Sequence, residues 1–234
     1  MDIEILGAER DLLGECPLWD SRRASLCWID SRRHLIQEWH PASGARRSWT
    51  MPHEIGSIAL CESGCLLVAL QTDFHFLDRD SGTLTPFAAV EHPAERMRLN
   101  DGRTDRAGRF VLGSLVMGRA EPLGALYQVH PDGKVRELDR GFCVSNTTCF
   151  SPDGRWLYFA DSLADVIWRY PYDSATGAAG PREVFIDTKP LGSGPDGATV
   201  DAAGKLWVAL VLKAQLACFA PDGKLLRAID VRVP

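Results

Sequence analysis

GPDGATVDAAGKLWVAL, residues 194–210, holds one of four Pro-Asp-Gly triplets in this chain, beside HPDG at 130–133, SPDG at 151–154 and APDG at 220–223. In the other three, Lys134, Arg155 or Lys224 follows and then an apolar run, the pattern of a tight turn between two strands. Here Gly197-Ala198-Thr199-Val200 follows instead, and the turn residues come later, at DAAG, 201–204. Asp196 is therefore not a turn aspartate of the usual kind.

The rest of the chain supplies its context. Turn signals recur about every ten residues, separated by short runs rich in β-branched and aromatic residues. Helix-period segments are absent, so the fold class is all-β. Five copies of one unit align. Their second strands are SLCWID (25–30), CLLVAL (65–70), RFVLGS (109–114), WLYFAD (156–161) and KLWVAL (205–210). Their later hairpin turns are HPASG (40–44), DRDSG (78–82), HPDG (130–133), DSATG (173–177) and APDG (220–223). Units of about four strands that repeat in this way predict the blades of a β-propeller, with the innermost strands lining a central channel. The expected domain is one propeller over 1–234.

Aligning the units on Arg23, Gly64, Gly108, Gly154 and Gly204 and counting back eight residues gives Glu15, Gly56, Asn100, Asn146 and Asp196. Four of the five carry side-chain oxygens, and in this register all five sit where an innermost strand begins, at one height around one axis. Asp196 thus belongs to a ring. Two carboxylates and two amides converging on a channel mouth raise one another's cost of ionisation, and a divalent cation removes that cost. Oxygen donors without sulfur or imidazole suit calcium, magnesium or manganese. The other reading of each position is local, since Asp and Asn also cap backbone groups where loops join strands. In RMRLNDG, strand alternation puts Arg98 on the face of Asn100, where it either reaches the mouth or lies on a surface loop. Glu121, in SLVMGRAEPLG, either contacts a ligand or faces solvent.

Composition narrows the partners. With 45% hydrophobic and 24% charged residues the chain can bury a substantial core. A formal net charge of −5, with no stripe of Lys and Arg, argues against nucleic acid. The N-terminal MDIEILGAERD is acidic and lacks an uninterrupted apolar region, so it predicts neither a secretory signal nor a membrane span and points to a cytoplasmic protein. The seven cysteines are scattered without a CxxC pair and read as small buried hydrophobes.

LGECPLW, RLNDGRTDRAGRF, SNTTCFSPDGRWLYFADS and GPDGATVDAAGKLWVA together closely resemble, in order and spacing, the signatures of the regucalcin/gluconolactonase family of sugar-lactone hydrolases. The resemblance implies a six-bladed propeller, of which about five four-stranded blades are encoded here. It implies one divalent metal ion (calcium, magnesium, manganese or zinc) held by Glu15, Asn146 and Asp196, and no organic cofactor. Asp196 would also be the general acid/base, Arg98 and Asn100 would contact a small sugar lactone, and Glu121 corresponds more weakly to a further substrate residue. The implied reaction is hydrolysis to the aldonic acid. Alternatives are another esterase on the same mouth, which would call for a second calcium or a catalytic His, and a non-enzymatic calcium- or protein-binding propeller.

Two departures accompany the resemblance. A sixth ring position is expected at about residues 240–246, beyond Pro234, and the strand IEIL (3–6) would complete that blade; without it, open blade edges invite self-association. In SNTTCF, Thr147-Thr148 replaces the more usual Gly-Leu pair, which is expected to tune the pocket without removing Asn146.

Overall fold

A computed structural model describes residues 3–7 and 9–231. It contains five antiparallel sheets, each laid down in chain order from the axis outward. Blade one is β1 (Gly14–Asp20), β2 (Ser25–Asp30), β3 (Leu35–Trp39) and β4 (Arg46–Thr50). Blade two is β5 (Ser57–Leu60), β6 (Leu66–Ala69), β7 (Asp73–Leu77) and β8 (Leu84–Ala89). Blade three is β9 (Met97–Thr104), β10 (Phe110–Val116), β11 (Gly124–Val129) and β12 (Val135–Phe142). Blade four is β13 (Ser145–Phe150), β14 (Trp156–Asp161), β15 (Val166–Asp173), the short β16 (Ala178–Ala179) and β17 (Glu183–Asp187). Blade five is β18 (Pro195–Val200), β19 (Leu206–Leu210), β20 (Gln215–Phe219) and β21 (Leu225–Asp230).

The predicted second strands at 25–30 and 156–161 coincide with β2 and β14, and the other three differ from β6, β10 and β19 by one or two residues at an end. All five predicted turns lie between the third strand of a blade and the strand that follows it. At the DRDSG turn the mechanism is explicit: Asp78 accepts hydrogen bonds from the amides of Asp80 and Ser81, each at 2.9 Å, and Gly82 takes the left-handed conformation at φ 75°.

Stacking of blades explains the hydrophobic pattern. In β6, Leu66 and Val68 pack with Cys27 and Ile29 of blade one, while Leu67 and Ala69 pack with Leu99 and Phe110 of blade three. A strand covered on both faces reads as a continuous apolar run, as LLVA does, and GALYQV is buried throughout with Gln128 its one polar exception. Blades one and five alternate instead: in β19, Leu206, Val208 and Leu210 are buried against blade four, while Trp207 and Ala209 are half-buried. Ile3–Leu6, expected as a strand, belongs to none and is exposed; among the described residues no blade lies beside it to supply a hydrogen-bonding edge. The chain is anchored just after it, where Asp30 accepts from the amides of Leu12 and Leu13 and Asp11 from the Trp28 indole.

Charge is buried between blades as well. Arg79, 0% exposed, donates to Asp20 at 2.5 Å, to Glu38 at 3.1 Å and to the Gly64 carbonyl at 3.0 Å, joining blades one and two. Asp105 plays the matching part between blades three and four, accepting from Arg109 at 2.7 Å and from the Tyr172 hydroxyl at 2.6 Å. Removing one member of such a group strands its partners without a counter-charge, which costs roughly 3–5 kcal/mol. Arg79→Met is therefore expected to lower the urea unfolding free energy by about that amount. A loss below about 1 kcal/mol would mean that Asp20 and Glu38 are effectively solvated.

Candidate active site at the propeller axis

Where each of four innermost strands passes the ring, it carries one extra residue. Glu15 pairs with Ile29 and Leu18 with Cys27, so β1 advances three residues while β2 advances two. The same shift occurs between Leu99 and Gly102 in β9, between Asn146 and Cys149 in β13, and between Pro195 and Ala198 in β18. These are β-bulges, which bend a strand and re-aim its side chains. The ring residues Glu15, Asn100, Asn146 and Asp196 fall at or within them. Blade two lacks the feature: β5 pairs with β6 without a shift, and its ring position is Gly56. A Cβ there would lie 2.5 Å from the Leu99 carbonyl oxygen and 2.9 Å from the Asn100 amide, so the chain before β5 lies directly against β9. The ring therefore has four side chains because one position is occupied by close backbone approach.

The structure brings Glu15, Asn146 and Asp196 together on one cavity of about 640 Å³. Asp101, Arg103 and Cys16 share its wall, as does Trp207 of blade five. Arg98 and Asn100 are not on the cavity wall; they hold it from behind. Arg98 Nη1 donates to Asn100 Oδ1 at 2.7 Å, and Arg98 Nε lies 3.4 Å from Glu54. Asn100 Nδ2 donates to the Ser145 carbonyl at 2.7 Å and to Asn146 Oδ1 at 3.2 Å. Asn146 Nδ2 in turn donates to Ser162 Oγ at 2.8 Å.

Burial makes the carboxylates of this cavity reluctant to ionise. It pushes Glu15 up to about 7, the negative charge of Asp196 adding to the effect and Arg98 opposing it. Asp196 is raised by burial against the pull of the Gly197 amide and Arg98. Asp101 is pushed up to about 6, again first by burial, with Arg103 opposing. The Cys16 thiol is also raised by burial, so it stands as a thiol and not a thiolate. Among the described residues no three His, Cys, Asp or Glu side chains gather at metal-binding spacing. The donor set is instead two carboxylates and an amide oxygen, hard donors short of positive charge, and that chemistry fits a hard divalent cation.

Asp101 was not singled out by the sequence. It follows a ring residue in RLNDG, and the bulge in β9 turns its carboxylate toward the cavity. No local sequence signal marks it: β9 spans eight residues and the other innermost strands four to seven, a difference that appears only in the strand pairing. Glu121 is not brought to the ring. It lies in the connection between β10 and β11, 3.2 Å from Arg119, on a separate hollow of about 220 Å³ that also includes Arg96 and Met117. No histidine lines the main cavity.

Comparison with known proteins identifies the family and the fold. Residues 13–234 match the family described as the SMP-30/gluconolactonase/LRE-like region. The chain is 34% identical over 221 residues to a 6-deoxy-6-sulfogluconolactonase of Pseudomonas putida, covering 94% of this chain and 76% of that protein. It is 34% identical over 223 residues to an L-arabinolactonase of Azospirillum brasilense, covering 94% of this chain and 74% of that one. The crystal structure of regucalcin from Agrobacterium tumefaciens, described as a calcium-binding protein, superposes with a TM-score of 0.90 at 31% identity, covering 94% of this chain and 75% of that one. On the strength of a match through almost its whole length, the chain belongs to the SMP-30/gluconolactonase/LRE-like family.

Proposed function

We propose that this chain hydrolyses a sugar lactone to the corresponding aldonic acid, using the ring at the propeller axis with a divalent cation held by Glu15, Asn146 and Asp196. Lactone hydrolysis is supported by the relatives named as lactonases. The observation that carries the site assignment is the set of bulges in β1, β13 and β18, at which Glu15, Asn146 and Asp196 meet one cavity, with both carboxylates raised by burial.

A bound divalent cation supplies Lewis-acid polarisation of a lactone carbonyl and relieves the repulsion between Glu15 and Asp196. The chain's residues do the rest. Asp196 accepts a proton from the attacking water as its oxygen bonds to the carbonyl carbon. The same carboxyl then gives that proton to the ring oxygen as the carbonyl carbon–ring oxygen bond breaks, so water and lactone become one hydroxy acid. An aspartate with a raised pKa is suited to both transfers. Arg98 holds Asn100, and Asn100 holds the Asn146 amide, so this pair supports the ring from outside the cavity wall.

A second reading keeps the cation and drops the turnover, and it is favoured by one observation: the superposed regucalcin structure is described as a calcium-binding protein. The two readings separate in an aldonolactone hydrolysis assay on protein stripped with chelator and resupplied with calcium, magnesium, manganese or zinc. Turnover is expected to return with metal and to fall by about 10²–10⁴-fold in Asp196→Asn. Folded, metal-loaded protein that turns over no lactone would leave the binding reading in its place.

The raised carboxylates give a further expected outcome. A carboxyl held above its unfolded value binds more protons in the folded chain, so folding stability is fully present below the unfolded pKa and is lost as pH rises through the folded one. For Glu15 that window runs from 4.5 to about 7, and Asp101 and Asp196 act in the same direction. Metal-free protein should melt at a lower temperature at about pH 8 than at about pH 5, and added cation should recover the difference mainly at the higher pH. A metal-free melting temperature that rises across this window would contradict the assignment.

A further inference from the structure

Thr147 stands directly after Asn146, at the bulge of β13, with φ 62°. A β-branched residue is strained in the left-handed region, where glycine is not. Thr147 is also 0% exposed, and its hydroxyl must find a partner. It donates to the backbone carbonyl of Asp196 at 2.6 Å. Thr148, equally buried, faces the other way: its amide donates to Asp101 Oδ2 at 2.7 Å and its hydroxyl to the Asp101 carbonyl at 3.1 Å. One strained bulge is thus tied to β18 on one side and β9 on the other.

A second hydroxyl reaches the same stretch of β18. Ser162 Oγ donates to the carbonyl of Pro195 at 2.6 Å while accepting from Asn146 Nδ2 at 2.8 Å. The carbonyls of residues 195 and 196 belong to the two peptide groups on either side of the Asp196 Cα. Both are therefore pinned by hydroxyls of blade four. This matters because β13 and β18 lie in different sheets and share no ladder of backbone hydrogen bonds. The separation between Asn146 and the Asp196 carboxylate is set by these side-chain bonds and by apolar packing alone.

We infer that Thr147 and Ser162 are positioning residues: together they clamp the two peptide planes that flank Asp196, and so fix where its carboxylate stands relative to Asn146. The inference rests on the reading of Asn146 and Asp196 as partners around one cation. Local strain held in place by its surroundings at a functional position is the expected physical form of such a device.

Thr147→Gly separates positioning from stability, because it relieves the strained φ and removes the hydroxyl in one change. The melting temperature of the metal-free variant should hold or rise, while calcium affinity by titration calorimetry falls about 10–100-fold, and kcat for lactone falls with KM little changed. Thr147→Ser, which keeps the hydroxyl, should restore affinity toward the starting protein, and Ser162→Ala should weaken it in the same direction as Thr147→Gly. Calcium affinity unchanged in Thr147→Gly, or a fall in melting temperature with affinity intact, would overturn the inference. Metal-free crystal structures of Thr147→Gly and Ser162→Ala test the clamp without reference to the reaction. A displaced or multiply oriented Asp196 carboxylate supports it, and an unmoved one overturns it. If the unaltered protein binds no calcium and hydrolyses no lactone, the functional reading fails, and those structures still decide the clamp.

Discussion

At a propeller axis, strands from separate sheets converge without backbone hydrogen bonds between them, and this constraint governs the site. Innermost strands are held laterally mainly by side chains, with a backbone bond from the Leu99 amide of β9 to the Gln71 carbonyl of blade two at 2.9 Å beside them. Ser57 Oγ donates to the Gly102 carbonyl at 3.1 Å, the Ile58 amide points to Cys16 Sγ at 3.4 Å, and Arg103 reaches the Ala198 carbonyl at 3.2 Å. These bonds run from blade two to three, one to two and three to five. The Gly102 and Ala198 carbonyls follow the ring residues at the bulges of β9 and β18, and Cys16 follows Glu15 at that of β1. The bulge therefore does two things at once. It turns the ring side chain toward the cavity, and it supplies the polar backbone by which the next blade is held.

Electrostatics separates this region from the other buried charges. Asp20 and Glu38 meet Arg79, and Asp105 meets Arg109, each in hydrogen-bond contact with a guanidinium. Glu15, Asp101 and Asp196 have no such partner; Arg98 and Arg103 oppose their raised pKa values only through space. Asp161, also buried, is met by the amides of Cys143, Val144 and Leu163, whereas Glu15, Asp101 and Asp196 share one cavity with their carboxyls raised by burial. A cation of the kind proposed would relieve that contrast.

Much of this was legible in the sequence because turn chemistry and strand period are local. Asp78 and Gly82 announce a turn whatever surrounds them, and the counting that led to Glu15, Asn100, Asn146 and Asp196 needed only the spacing from the first hairpin of each unit. What was not legible depends on a neighbouring blade. Gly56 looked like a gap in the ring, yet its reason is the Leu99 carbonyl in the next sheet. Asp101 carried no signal of its own, and its exposure to the cavity follows from a register shift against β10. Glu121 was assigned by loop position, and the loop holds it against Arg119 instead. IEIL has the composition of a strand, but a strand exists only where another offers an edge.

The shape of the cavity follows from the same alternation that builds the blades. In β19 the odd-numbered side chains face away from blade four, so Trp207 and Ala209 present an apolar wall, with Leu216 of β20 beside them, on the cavity that also holds Glu15, Asn146 and Asp196. Trp207 is fixed there by its indole nitrogen, 3.1 Å from Asp201, and by the Arg227 guanidinium 4.8 Å from its ring centre. A ligand in this cavity meets oxygens at the ring and carbon along blade five. Among the described residues no strand covers this face of blade five, which is why alternation leaves carbon exposed there. Under the proposed hydrolysis the ring would hold the reacting carbonyl through the cation, and low local polarity would strengthen that interaction as negative charge develops.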